Sequence, residues 1–184
     1  GKTASILQFA HDNYQNVVAI NFVLQQKYNA IFEEGYEVDS ISRNLTLINP
    51  SLKIEAGNTL IFFDEMQDCP ACATSLKAFK IDGRYDVICS GSLMGINYRE
   101  IESNSVGYKE DYTMHSMDFE EFLWAKGYDS ALIERLYEKM VSITPLSNME
   151  MDILERLFRE YMTIGGMPAV VNMYVSSGNV SGTL

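Results

Sequence analysis

Thr59-Leu60-Ile61-Phe62-Phe63-Asp64-Glu65 runs apolar on consecutive positions and then ends in two adjacent carboxylates. A short run rich in Ile and Phe, with no polar residue alternating through it, predicts a strand buried on both faces, as in the middle of a parallel sheet. Carboxylates at the C-terminal end of such a strand stand at the sheet edge where α/β proteins bind their ligands.

In nucleotide hydrolases the first carboxylate of such a pair holds Mg²⁺ and the second orients or deprotonates water, which is the Walker B pattern. The start of the chain supplies its natural complement. Gly1-Lys2-Thr3 matches the tail of the Walker A consensus, in which backbone N–H groups cradle phosphates, the Lys reaches the β/γ-phosphates and the Thr hydroxyl meets Mg²⁺. A helical pattern follows at once, with Ile6, Leu7 and Ala10 on one face. Either motif alone has a plain reading, an acidic turn or a chance tripeptide. The two together, on separate elements, point to a nucleotide site.

Working outward, Asn16 to Phe22 predicts another buried strand and Gln26 to Glu34 a short helix stopped by Gly35. Val38, Ile41, Leu45 and Ile48 mark an amphipathic helix that ends before Pro50. Pro70 opens a further helix that closes at Asp82-Gly83. Tyr85 to Ser90 reads as a strand ending in Ser90-Gly91-Ser92, a polar end where many ATPases place a sensor of the γ-phosphate; a plain Ser/Gly turn is the alternative. Asn97 to Gly107 is polar and turn-rich, a loop, and Tyr108 to Met114 alternates as a last strand would. Only helices follow. Asp118-x-x-Glu121 and Ser147-x-x-Glu150 are capping boxes, and Gly165-Gly166-Met167-Pro168 breaks the chain before a short final helix. Strands alternating with helices, then helices alone, predict an α/β domain carrying a small α-helical subdomain.

Composition narrows the classes. The 184 residues are 47% hydrophobic and 21% charged, as in globular domains, and carry a net charge of −11. That balance argues against direct nucleic-acid binding, which needs clustered Lys and Arg. No run approaches the about 18 apolar residues of a membrane span, and no secretory signal is visible, so a cytoplasmic protein without membrane contact is expected. Three cysteines do not suggest a disulfide framework. Cys69-Pro-Ala-Cys72 has redox-motif spacing, but two small residues at a helix start is the simpler reading. Cys89, His11 and His115 complete no recognisable zinc spacing.

The chain resembles the bacterial and archaeal AAA ATPases often fused to a C-terminal domain of unknown function. The likeness rests on Gly1-Lys2-Thr3, Leu60 to Gln67, Val87 to Leu93, Met117 to Leu123, and Ile164 to Pro168, in the family's order. It implies a P-loop NTPase-type parallel sheet flanked by helices over 1–116, an α-helical lid subdomain over 117–176, and a linker or frayed end over 177–184. It implies ATP and Mg²⁺ as ligands, with Gly1, Lys2 and Thr3 at the phosphates. Thr3 and Asp64 would serve the metal, Glu65 the attacking water, Ser90 or Ser92 the sensor position, and Pro168 the neighbourhood of the adenine. No arginine finger is identifiable, since nothing aims Arg84 or Arg99 at a phosphate. The family's strand before Walker A and most of its phosphate loop precede Gly1. The fragment, cut at both ends, is therefore expected to bind ATP weakly or not at all. The function expected of the parent is slow Mg-dependent hydrolysis used as a switch, with output to a protein partner or C-terminal domain. The alternative is a non-catalytic protein-interaction module that keeps the P-loop fold.

Overall fold

The computed structural model describes residues 1–91 and 107–178. The chain divides into two compact units, one over Lys2–Tyr112 and one from Thr113 onward. Ser92, Arg99 and the predicted loop between Asn97 and Val106 lie outside the described residues, as do 179–184 of the predicted linker.

In the first unit, helix α1 (Lys2–Asn13) leads to strand β1 (Asn16–Asn21), a 3₁₀ segment (Gln26–Phe32) and helix α2 (Val38–Ile48). Strand β2 (Thr59–Asp64), a short 3₁₀ turn (Met66–Asp68), helix α3 (Ala71–Asp82) and strand β3 (Asp86–Cys89) complete it. The three strands form one parallel sheet in the order β1-β2-β3. β2 is the middle strand and all six of its residues are buried, which is why its sequence is apolar on consecutive positions instead of alternating. Phe22, Ile31, Ile41, Leu45, Phe63 and Phe79 belong to one continuous core around it. This is the α/β, P-loop NTPase-like arrangement expected from the alternation of strands and helices. Pro70 occupies the N-cap of α3, and Gly83 ends that helix with a left-handed backbone (φ 72°), a conformation a β-carbon would disfavour.

The predicted strand over Tyr108 to Met114 does not form; no strand lies between Gly107 and Asp118. Lys109 pairs with Asp111 and Tyr112 with Glu110, each two residues apart, the spacing at which side chains of an extended chain share a face. The polar members of the alternation thus pair with one another locally. Its apolar members find no sheet face to bury against, and Tyr112 is 86% exposed.

The second unit is helical: α4 (Phe119–Ala125), α5 (Ser130–Val141), α6 (Asn148–Ile164) and α7 (Pro168–Ser177). Both capping boxes are present. Asp118 accepts from the Glu121 amide and Glu121 from the Asp118 amide, and Ser147 and Glu150 do the same at α6. Each satisfies amide donors that a helix start leaves open. Phe122, Ile164, Val171 and Tyr174 pack as one cluster, and Leu123, Ile133 and Leu157 as another. A β-carbon on Gly166 would fall 2.1 Å from the Met117 carbonyl oxygen, so the Gly-Gly turn lets two chain segments meet backbone to backbone. Among the described residues no helix is long and apolar enough to cross a membrane.

Candidate functional site at the C-terminal edge of the sheet

Because the strands are parallel, β1, β2 and β3 all end on the same edge. The register sets Asn21 opposite Asp64 and Phe63 opposite Cys89, so Ser90 emerges beside Asp64. Two backbone bonds hold this edge together: Phe22 N–H donates to the Asp64 carbonyl (3.1 Å) and Ser90 N–H to the Phe63 carbonyl (2.9 Å).

Asp64 is only 4% exposed, and a buried carboxylate costs several kcal/mol unless donors compensate it. Three side chains do so. Thr3 Oγ1 and Asn21 Nδ2 both donate to Oδ2, at 3.1 and 3.0 Å, and Ser90 Oγ donates to Oδ1. Asn21 is itself oriented, because its Oδ1 accepts from the Leu24 amide at 3.0 Å. Beside this cluster, Lys2 Nζ donates to the Gly91 carbonyl at 2.7 Å. Lys2 and Thr3 form the first turn of α1, and the amides of such a turn point outward as anion donors.

Glu65 follows directly and departs from regular backbone, with φ 56° and ψ 48°. This left-handed conformation costs a non-glycine residue about 1–3 kcal/mol and occurs chiefly where a site imposes it. Its carboxylate accepts from Gln67 Nε2 at 2.6 Å. The Met66 amide donates to the Ser90 carbonyl at 2.9 Å, fixing the turn to the end of β3.

The donor set fits a nucleotide-associated Mg²⁺. The Thr3 hydroxyl and an Asp64 carboxylate oxygen, both hard oxygen ligands, stand 3.1 Å apart. Among the described residues no cluster of three or more His, Cys, Asp or Glu could hold an ion by itself. That combination suits Mg²⁺, which keeps waters and takes further ligands from substrate phosphates.

The structure therefore brings together Lys2, Thr3, Asp64 and Ser90 from three separate stretches of sequence. Glu65 adjoins them through the chain, its carboxylate held by Gln67. Gly1, exposed, immediately precedes α1. Ser92 is outside the described residues. Pro168 belongs to the second unit, at the first position of α7, where proline suits a helix start. Arg84 precedes β3, at the end opposite Ser90, and its guanidinium is taken by Asp39 and Asp82, partners that push its pKa up. Asn21 is the participant that sequence reasoning misses. Its signal was a polar residue closing a buried strand, which becomes informative only once the register sets it against Asp64.

The cysteines behave as packing. Cys69 and Cys72 are buried. Burial pushes the Cys69 thiol up to about 11 and the Cys72 thiol well above its ordinary value, with the neighbouring Cys89 adding to the latter. A redox thiol needs the opposite shift. Cys72 Sγ lies 3.6 Å from Cys89 Sγ. Of the three, Cys89 is the one with partial exposure, so a thiol-labelling time course on the folded protein is expected to modify Cys89 first. Faster labelling of Cys69 or Cys72 would reopen a redox role for the motif.

A family model described as an AAA domain matches residues 1–123. Comparisons with curated proteins and with solved structures find no match to the chain.

Proposed function

The chain belongs to the AAA domain family, whose members are nucleotide-binding proteins of the ATPase type, and from that premise we propose that the full-length protein binds Mg-ATP at this sheet edge and hydrolyses it slowly, as a switch. The observation that carries this reading is the Thr3–Asp64 hydrogen bond, which joins the helix of one nucleotide motif to the strand of the other. Lys2 exchanges the Gly91 carbonyl for the β/γ-phosphates, and the amide of Gly1 and those of the first turn of α1 face the same anion. Thr3 and Asp64 provide the metal's protein ligands. Mg²⁺, when bound, offsets the negative charge that develops on the phosphate oxygens. Glu65 orients the attacking water and accepts its proton. Ser90, hydrogen-bonded to Asp64 in the resting site, is the γ-phosphate sensor, with Ser92 as a second hydroxyl on the same stretch. Output passes to a protein partner or a C-terminal domain, in the cytoplasm.

A second reading, a non-catalytic interaction module, is favoured by the exposed Met140, Ile143, Met149 and Met162 of the helical unit, since flexible apolar side chains suit protein partners. Dependence of partner binding on ATP separates the two readings.

The test is a fluorescent-ATP titration with Mg²⁺ on the full-length protein beside its Lys2→Ala variant. Loss of a charge-assisted contact to phosphate is expected to raise Kd about 10- to 100-fold. Equal affinity in the two proteins would remove Lys2, and with it the proposed site, from nucleotide binding.

A further inference from the structure

The turn after β2 contains an amide that the roles above leave unused. Gln67 donates from Nε2 to Glu65 Oε2 at 2.6 Å, a charge-assisted bond in a half-buried position. With the nitrogen committed to the carboxylate, the amide oxygen faces the residue that follows Ser90. A β-carbon built on Gly91 would lie 2.9 Å from Gln67 Oε1 and 3.0 Å from Met66 Cγ. Real β-carbons essentially never come that close, so a side chain at position 91 would push this amide, the flexible end of Gln67, off its present place. The Met66 amide bonded to the Ser90 carbonyl at 2.9 Å holds the two segments at this separation.

Resting on the reading of Glu65 as the water-orienting group, we infer that Gln67 is the positioning residue that makes Glu65 effective. Its amide fixes one carboxylate oxygen and leaves the other for water, and Gly91 is the seat that keeps the amide there. This is the logic by which a catalytic base is oriented by a third group. An unheld Glu at a left-handed turn samples several rotamers, and misplacement by about 1 Å costs on the order of 10²-fold in rate. The same Gly91 offers its carbonyl to Lys2, so one residue supports both the phosphate-binding lysine and the amide behind the hydrolytic carboxylate.

The experiment measures steady-state hydrolysis, Mg-ATP affinity and melting temperature on the full-length protein. Gln67→Ala is expected to lower kcat about 10- to 100-fold, the value of one hydrogen bond to a charged group, with Kd for Mg-ATP within about twofold. Gly91→Ala keeps the carbonyl that Lys2 uses while shifting the Gln67 amide, and is expected to lower kcat in the same direction by no more than Gln67→Ala does. The Gly91→Ala/Gln67→Ala double variant is expected to lose no more than Gln67→Ala alone, because both act through one contact. Turnover at the wild-type rate in Gln67→Ala, or additive losses in the double variant, would overturn the assignment while a Glu65→Gln defect still stood. A wild-type protein that neither binds nor hydrolyses Mg-ATP would overturn the parent reading and this one together.

Discussion

Glu65→Gln in the full-length protein is expected to slow ATP hydrolysis by about 10²- to 10⁴-fold, the range of general acid–base contributions, with Mg-ATP affinity changed by no more than about twofold. The amide matches the carboxylate in size and can adopt the same left-handed backbone (φ 56°). It still offers Gln67 an oxygen, so the turn and its bond to Ser90 remain. It accepts no proton from water, and one of its two polar ends donates. Asp64, with its three donors, is untouched, so the carboxylate and the phosphate contacts proposed for Mg-ATP persist. A pattern of lost kcat with preserved affinity is the signature of a group that acts in the transition state alone. Single-turnover hydrolysis beside equilibrium titration reads both quantities. A variant that hydrolyses at the parent rate would move water activation to another residue.

Phe63→Ala is expected to destabilise the first unit by about 3–5 kcal/mol, the range for deleting a buried aromatic ring. Phe63 is fully buried, and its ring centroid lies 5.6 Å from that of Phe22, 5.9 Å from Phe32 and 6.3 Å from Phe79. Through those three rings the middle strand is packed against the end of β1, the 3₁₀ segment and α3. Edge and tilted ring pairs add about 0.5–1.5 kcal/mol each beyond buried area. A domain of this size has on the order of 5–15 kcal/mol in total, so the loss removes a large share. Urea unfolding followed by far-ultraviolet circular dichroism is the appropriate measurement. The single tryptophan, Trp124, lies in the helical unit and its fluorescence follows the wrong part of the chain. A loss below about 1 kcal/mol would mean that the three-ring contact is not what holds the sheet to its helices.

The parallel sheet was legible because its middle strand must be apolar on every residue, a pattern few other structures share. The helices were legible from spacing and from capping pairs such as Asp118 with Glu121. Tyr108 to Met114 misled because alternation reports an extended chain, whereas a strand also needs a neighbour with free backbone groups, which local sequence does not record. At the site, Lys2, Thr3, Asp64 and Ser90 were visible as motif residues. Asn21 was not, since asparagine at the end of a strand equally serves a turn, and its partner depends on register. The left-handed backbone of Glu65 and the seat that Gly91 makes for Gln67 are three-dimensional facts with no local pattern in the chain.

The three donors on Asp64 also bear on how quickly the site can be loaded. Thr3 and Ser90 reach the carboxylate through hydroxyls, and a hydroxyl oxygen that donates its hydrogen in one torsional state offers its lone pairs in another. On the proposed reading, turning the Thr3 C–O bond is enough to convert that oxygen from a donor to Asp64 into a metal ligand, with no backbone displaced. Side-chain torsions of this kind take picoseconds to nanoseconds. If the site takes Mg²⁺ as proposed, the resting network is a set of rotors close to their working coordinates, and the pace of charging falls to diffusion and to the shedding of water by the incoming cation.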